Sequence, residues 1–320
     1  MEVLIKKYPR TPHIEGSRLQ KGDDDLSQIS FSIIKGKNIV IEEKVDGANT
    51  AISFGLDNEL LLQSRGHYLT GGYRERHYDL FKQWATVHRD ALYSVLGNRY
   101  IMYGEWLYAK HSVYYNNLPH YFLEFDIFDK EKGVFLDTKS RRELIKDLPV
   151  YSVKVLASGK FEKIEDVLKY LTNSNYITDN HLDDLAKEAL KQNLDPQRQI
   201  NETDNSMLME GLYIKVEENG TVVDRMKYVR YSFLQTVEVS ETHWLDRPII
   251  PNKIDKNISE LTELSLLPLE SIDTFPGLIS ILLILTLDKP LSIVMSEKYC
   301  LLFTYKDIFN SHPFTDNLKV

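Results

Sequence analysis

Cysteine is almost missing from this chain: Cys300 is the only one in 320 residues. That excludes an intramolecular disulfide framework and a cysteine-built metal centre, and it points to a reducing compartment. Long apolar runs are missing as well. The longest, from Phe275 to Leu287, is interrupted by Pro276 and Gly277 and ends at Asp288, too short to span a bilayer. The first ten residues, Met1 to Arg10, contain no apolar core of the kind a secretion signal needs, so a soluble, cytoplasmic protein is expected. Positive charge is in deficit too: the formal net charge is −8. The global field therefore repels a polyanion, and any affinity for nucleic acid must come from a local basic groove. No internal repeat, low-complexity tract or His/Cys cluster stands out.

What is present is ample for a large core, with 42% hydrophobic and 27% charged residues. Three regions are expected. Residues 1–37, punctuated by Pro9, Pro12 and Gly16, form a leader packed on the main domain. Asp23, Asp24 and Asp25 follow, with Leu26 and Phe31 as the expected anchors; His13 and Arg18 are structural or reach a site. Residues 38–239 form the main domain, and 240–320 a small Leu/Ile-rich C-terminal unit, entered through Trp244, Pro248 and Pro251.

Within the main domain, Ile39 to Phe54 reads as strand, tight turn and strand, with Asp46-Gly47 as the hairpin turn. Leu60 to Arg65 follows as a third strand. The Gly-rich loop 66–78 then interleaves Tyr68, Tyr73 and Tyr78 with Arg74, Arg76, His67 and His77, a mix of stacking and cationic groups suited to a single strand or a strand end, or to a solvated loop. Helical spacing runs from Tyr78 to Leu96 with Gly97 as the stop. Aromatic-rich strands are expected over 100–108 and 121–128, each carrying a carboxylate (Glu105, Asp126) where an unpaired charge is costly. A helix over 138–148, helical pattern through 151–205 and a mobile polar loop over 197–206 follow. A last hairpin spans 209–230, with Glu217 to Gly220 as its turn.

Several pieces fall in a fixed order: Lys44-Val45-Asp46-Gly47, Ser64-Arg65-Gly66, Gly104-Glu105, Phe125-Asp126, Glu210 to Lys215, and Arg225-Met226-Lys227. A lone Lys-x-Asp-Gly arises by chance in about one chain in ten or twenty of this length. The ordered set, each piece on an expected strand or strand end, is far more specific. It resembles the covalent nucleotidyltransferase superfamily of ATP-dependent ligases and mRNA-capping enzymes, and most of all the RNA ligases of phages and bacteria. The resemblance covers residues 38–230. It implies an α+β fold, an adenylyltransferase domain of antiparallel sheets flanked by helices, with the small C-terminal unit beyond.

It also implies a function: an ATP-dependent RNA ligase that seals 3′-hydroxyl and 5′-phosphate RNA ends through a lysyl-AMP intermediate, and a bacterial or phage origin. A monomer is expected. Lys44 would be the nucleophile, with Glu43 and Asp46 beside it. Arg65 would bind the adenylate or 5′-phosphate, Glu105 the ribose, and Phe125 the adenine face. Glu210, with Asp46, would hold Mg²⁺ or Mn²⁺, both hard cations suited to oxygen ligands. Lys215 and Lys227 would meet the α-phosphate, and Arg225 would supply charge in place of the usual lysine, with a different geometry. RNA would run along Arg65, His67, Tyr68, Tyr73, Arg74 and Arg76. The lack of a further Arg/Asp/Lys motif after residue 231 favours an RNA ligase. The alternatives are a DNA ligase, an mRNA guanylyltransferase, or a non-catalytic RNA-end-binding protein.

Overall fold

The computed structural model describes residues 5–19, 28–234 and 247–255; of Arg74 it describes the backbone only. Leu26, Asp23 to Asp25, Trp244 and nearly all of the expected C-terminal unit lie outside the described residues. In chain order the strands and helices are β1 (His13–Ile14), β2 (Gln28–Ile29), β3 (Ile39–Lys44), β4 (Ala48–Phe54), β5 (Leu60–Ser64), α1 (Asp79–Val87), α2 (Arg89–Leu96), β6 (Tyr100–Trp106), β7 (Phe122–Asp129), β8 (Val134–Leu136), α3 (Thr138–Ile145), β9 (Tyr151–Ser152), β10 (Val155–Gly159), α4 (Ile164–Leu168), α5 (His181–Lys191), α6 (Pro196–Asn201), β11 (Gly211–Glu218) and β12 (Thr221–Val229).

The strands pair in the order β10-β3-β11-β12-β8-β7-β6-β4-β5, antiparallel throughout that path. Two halves are visible in this order. The first is β10-β3-β11-β12, the second β7-β6-β4-β5, and the three residues of β8 join them. Period-two alternation assigns the faces. In the first half Ile39, Ile41, Leu212, Ile214 and Met226 pack into a core that includes Ile14, Phe31 and Val167. The opposite face carries the rows Glu42–Tyr213–Lys227 and Val40–Lys215–Arg225, with Lys44 opposite Gly211. In the second half Ile52, Met102, Trp106 and Phe122 pack against Phe81, Trp84 and Leu92 of α1 and α2. The α+β architecture of antiparallel strands and flanking helices is as expected.

The Asp46-Gly47 hairpin is not formed. β3 pairs with β10 and β11, and β4 with β5 and β6, so the two strands expected to pair belong to different halves. The reason lies in where Asp46 finds its partners. Its carboxylate accepts from the amides of Ser112 (2.7 Å) and Val113 (3.0 Å), and its own N–H donates to the Tyr115 hydroxyl (2.8 Å). Gly47 is outside the left-handed region. A Cβ there would sit 2.6 Å from Leu107 and 2.8 Å from the Trp106 carbonyl, so glycine is needed for close passage, not for a turn. By contrast Asn219 (φ 52°) and Gly220 (φ 83°) do close the β11–β12 hairpin.

Three smaller expectations also change. The helix expected over 78–96 is two, broken at His88, whose φ/ψ of −96°/12° is non-helical. Tyr151–Ser152 and Val155–Gly159 are strands, not helix. The polar stretch read as a mobile loop begins as α6, where the Asp195 side chain caps the amide of Gln197 at 2.9 Å, and continues into Asp204, buried against Arg230.

Residues 247–255 are laced onto the loop that follows β6. Lys110 N donates to Ile250 O (2.8 Å), Lys253 N to Tyr115 O (2.9 Å) and Asp255 N to Leu118 O (2.8 Å). Asn252 is buried, donating through Nδ2 to Leu107 O and accepting at Oδ1 from Tyr115 N.

Candidate active site

Between the two halves lies a cavity of about 880 Å³. Lys44, at the end of β3, has its Nζ 2.7 Å from both carboxylate oxygens of Glu210, which immediately precedes β11. The lysine side chain keeps 24% of its surface, the glutamate 3%. Burial alone would draw the ammonium pKa down, but the charges of Glu210, Glu105 and Asp46 outweigh it and hold Lys44 above its ordinary value. Burial pushes Glu210 up to about 7 and Glu105 up to about 8, against the opposing pull of Lys44. One ammonium thus faces three carboxylates that crowd one another.

Of the other residues singled out from the sequence, Glu43, Asp46, Arg65, His67, Glu105, Phe125 and Lys227 line the same cavity. Glu43 is buried, accepts from Ser174 and from Asn175 N (3.1 Å) and Nδ2 (2.8 Å), and is still pushed up by burial. Arg65 and His67 stand exposed at the rim. The Phe125 ring lies 6.5 Å from that of Tyr213 and edge-on to Tyr8 at 5.1 Å.

Lys215 and Arg225 do not reach the cavity. Lys215 is fully buried, 2.9 Å from Glu42 and 3.1 Å from Asp126, and donates to the Phe125 carbonyl. Glu42 also binds Arg141, which bridges to Glu124. Arg225 approaches Asp126 at 3.9 Å and lies over the rings of Phe135 (3.9 Å) and Tyr8 (5.2 Å). Three cations and three carboxylates neutralise one another at the cavity floor, which Glu42 reaches, because a buried charge requires a partner. This pairing with Glu42 and Asp126 is where the structure places Lys215, of which an α-phosphate contact is expected. It also gives the arginine at 225 a reason: a planar guanidinium stacks on rings where an ammonium would not. Tyr68, Tyr73 and Arg76 are likewise absent from the lining. Tyr73 is 80% exposed, with Arg76 over its ring at 4.6 Å.

Sequence reasoning missed Tyr8, Thr11, His111, Ser112, Tyr213 and Arg247, all of which line the cavity. His111 Nδ1 is 4.0 Å from Asp46, and burial draws its pKa down to about 4. Tyr213 lay within the Glu210 to Lys215 piece, and the Lys110-His111-Ser112 triplet carried a signal as a basic step between two apolar strands. Tyr8 and Thr11 had none beyond the leader's proline spacing.

Among the described residues no group of three or more His, Cys, Asp or Glu could hold a metal ion by itself. The acidic set of Glu210, Asp46 and Glu105 nevertheless suits a hard divalent cation that keeps waters and shares substrate phosphates. Burial raises Glu105 and Glu210 first; the charges of Glu210 and Asp46 on Glu105, and of Asp46 on Glu210, add to it, and that repulsion is what such a cation would relieve.

Among solved structures, the chain is similar to a Naegleria gruberi RNA ligase mutant with ATP and Mn, at 18% identity over 73% of this chain and 59% of that one, TM-score 0.46. It is similar to an archaeal ATP-dependent RNA ligase at 14% identity over 72% and 49%, TM-score 0.43. The chain thus spans less than two thirds of the length of these structures. No curated protein matches. The family described as RNA ligase matches residues 37–229, more than half of the chain and every strand of the cleft from β3 to β12, and the chain belongs to the RNA ligase family.

Proposed function

We propose that the protein is an ATP-dependent RNA ligase that joins a 3′-hydroxyl to a 5′-phosphate, with Lys44 as the covalent nucleophile. The observation that carries this is the Lys44–Glu210 contact inside a cavity lined by carboxylates and by Phe125 and Tyr213. In the first step Nζ of Lys44 forms a bond to the α-phosphorus of ATP, and the bond from that phosphorus to the pyrophosphate oxygen breaks. The amine must first shed a proton, and Glu210, already in contact and with a pKa near 7, is placed to take it. A 5′-phosphate oxygen of the RNA then displaces Lys44 from the phosphorus, and the 3′-hydroxyl finally displaces AMP.

Lys227 supplies positive charge beside the α-phosphate, its backbone fixed by Lys227 N donating to Pro12 O at 2.9 Å. Glu210 and Asp46 are the residues to hold Mg²⁺ or Mn²⁺, which would neutralise the triphosphate. Arg65 and His67 at the rim are positioned for the RNA 5′-phosphate, and Arg74, Arg76, Tyr68 and Tyr73 lie on the continuation of that loop. Glu105 and Phe125 complete the nucleoside site. Incubation with α-labelled ATP and Mg²⁺ should tag the wild-type protein and not Lys44→Ala, and the tag should chase into a nicked or open RNA. No tag from any nucleoside triphosphate would end this reading.

A further inference from the structure

Two leader hydroxyls, of Tyr8 and Thr11, join that of Tyr213 on β11 in a chain on the cavity wall whose direction can be worked out. Asp126 touches Lys215 (3.1 Å) and Arg225 (3.9 Å). Burial opposes its ionisation, but these cations outweigh it and hold its pKa below the usual carboxylate range, so it can only accept. Tyr8 donates its single proton to Asp126. In its 2.7 Å contact with Tyr213, Tyr8 therefore accepts and Tyr213 donates. Tyr213 has then spent its own proton, so in its 2.8 Å contact with Thr11 the threonine must be the donor. Every proton in the chain points toward Asp126. Thr11, at the far end, is left with lone pairs alone to offer.

Tyr8, Thr11 and Tyr213 all line the cavity beside Phe125. Tyr213 shares its row with Lys227 and lies two residues along β11 from Gly211, the partner of Lys44. The hydroxyl chain and the nucleophile therefore line the same cavity from neighbouring rows of β11.

We propose that Thr11 Oγ1 is a base-reading acceptor, polarised by Asp126 through Tyr213 and Tyr8, that selects a purine bearing a 6-amino group over a 6-oxo purine. This rests on the proposal that the cavity takes a nucleoside triphosphate and deepens it by naming what distinguishes ATP from GTP. An amino group donates into the lone pair. A 6-oxo group meets it acceptor to acceptor, leaving two buried polar atoms unpaired, and such mismatches discriminate strongly.

The test is calorimetric binding of ATP, ITP, GTP and purine riboside triphosphate, which lacks any 6-substituent, to wild type, Thr11→Val and Tyr8→Phe. Wild type should bind ATP about tenfold more tightly than the purine riboside nucleotide, and ITP and GTP more weakly still. Thr11→Val should bring ATP down to the purine riboside level while leaving the latter within about twofold. Tyr8→Phe should act differently: Tyr213, freed from Tyr8, can donate to Thr11, releasing the threonine proton toward the base and improving ITP relative to ATP. A purely structural role would weaken all four nucleotides together, and that result, or unchanged ratios in both variants, would overturn the proposal alone. Absence of binding by every nucleotide would overturn it together with the function on which it rests.

Discussion

Lys44 and Glu210, 166 positions apart, meet with the lysine Nζ 2.7 Å from each carboxylate oxygen. The register of β3 against β11 brings this about, pairing Lys44 with Gly211, the residue after Glu210. A Cβ on Gly211 would lie 1.9 Å from the Tyr228 carbonyl, so only glycine allows this register next to the glutamate. The nucleophile proposed here is thus stored as an ion pair, with its proton acceptor already in contact.

Lysine labelling should therefore rise with pH. Glu210 holds its own proton below about 7 and is available as acceptor above it, while Lys44, raised from its ordinary value, gains neutral fraction on further alkalinisation. Single-turnover labelling from pH 5.5 to 9.5 should climb across this range. Glu210→Gln should slow labelling by about 100-fold or more and remove the step near neutrality; an unchanged profile would rule Glu210 out as the acceptor.

Stability should run the other way. Glu105 has its folded pKa raised to about 8, well above that of an unfolded glutamate, so between these values the folded state binds more protons than the unfolded one. Stability is then greatest at low pH and falls as pH rises toward 8. Thermal midpoints of the ligand-free protein between pH 5 and 8 should show this decline, and Glu105→Gln should flatten it. A midpoint that rises over that interval in both proteins would show that other groups dominate.

Lys215 should matter for folding more than for phosphate contact. Removing one member of a buried ion pair leaves its partners uncompensated, at a cost of about 3–5 kcal/mol. Lys215→Ala should lose that much in urea denaturation, whereas Arg65→Ala, at the exposed rim, should unfold like wild type. Full stability in Lys215→Ala, with loss confined to labelling, would return the residue to a catalytic role.

Asn252 should prove to be a fastener of the main domain. Its side chain satisfies the buried Tyr115 N–H and Leu107 carbonyl at 2.8 and 2.7 Å. Asn252→Ala orphans both, costing roughly 2 kcal/mol or more. Denaturation with the same midpoint as wild type would show that water replaces the amide without loss.

The order of the motifs made the cleft legible in the sequence: Lys44, Glu105, Phe125, Glu210 and Lys227 do converge. Depth was not legible. Lys215 and Lys227 alternate identically along their strands, and only the carboxylates that β3 and β7 bring beneath the sheet separate a buried counter-ion from a cavity residue. Two turns with equally good local chemistry had opposite fates for a similar reason. Asn219 and Gly220 both take the positive φ the turn needs, and the Asp137 amide that bonds the Gly220 carbonyl leaves the turn in place, whereas the Asp46 carboxylate is claimed by amides 66 and 67 residues away. Hydroxyls of the leader, distant in sequence from every motif, left no periodic trace at all.

The crossing from Val45 to Gly47 sets a mechanical limit on the cleft. Four peptide links separate Lys44 from Ala48, and a fully stretched chain spans no more than about 3.6 Å per residue. The two walls therefore cannot part by more than roughly 14 Å at this point, whatever happens elsewhere. A second clasp, β8, pins them from another direction by pairing with β12 on one side and β7 on the other. Substrates of differing bulk can be admitted only by widening at the rim. Lys44, the proposed nucleophile, sits at the spine, where a book that opens moves least.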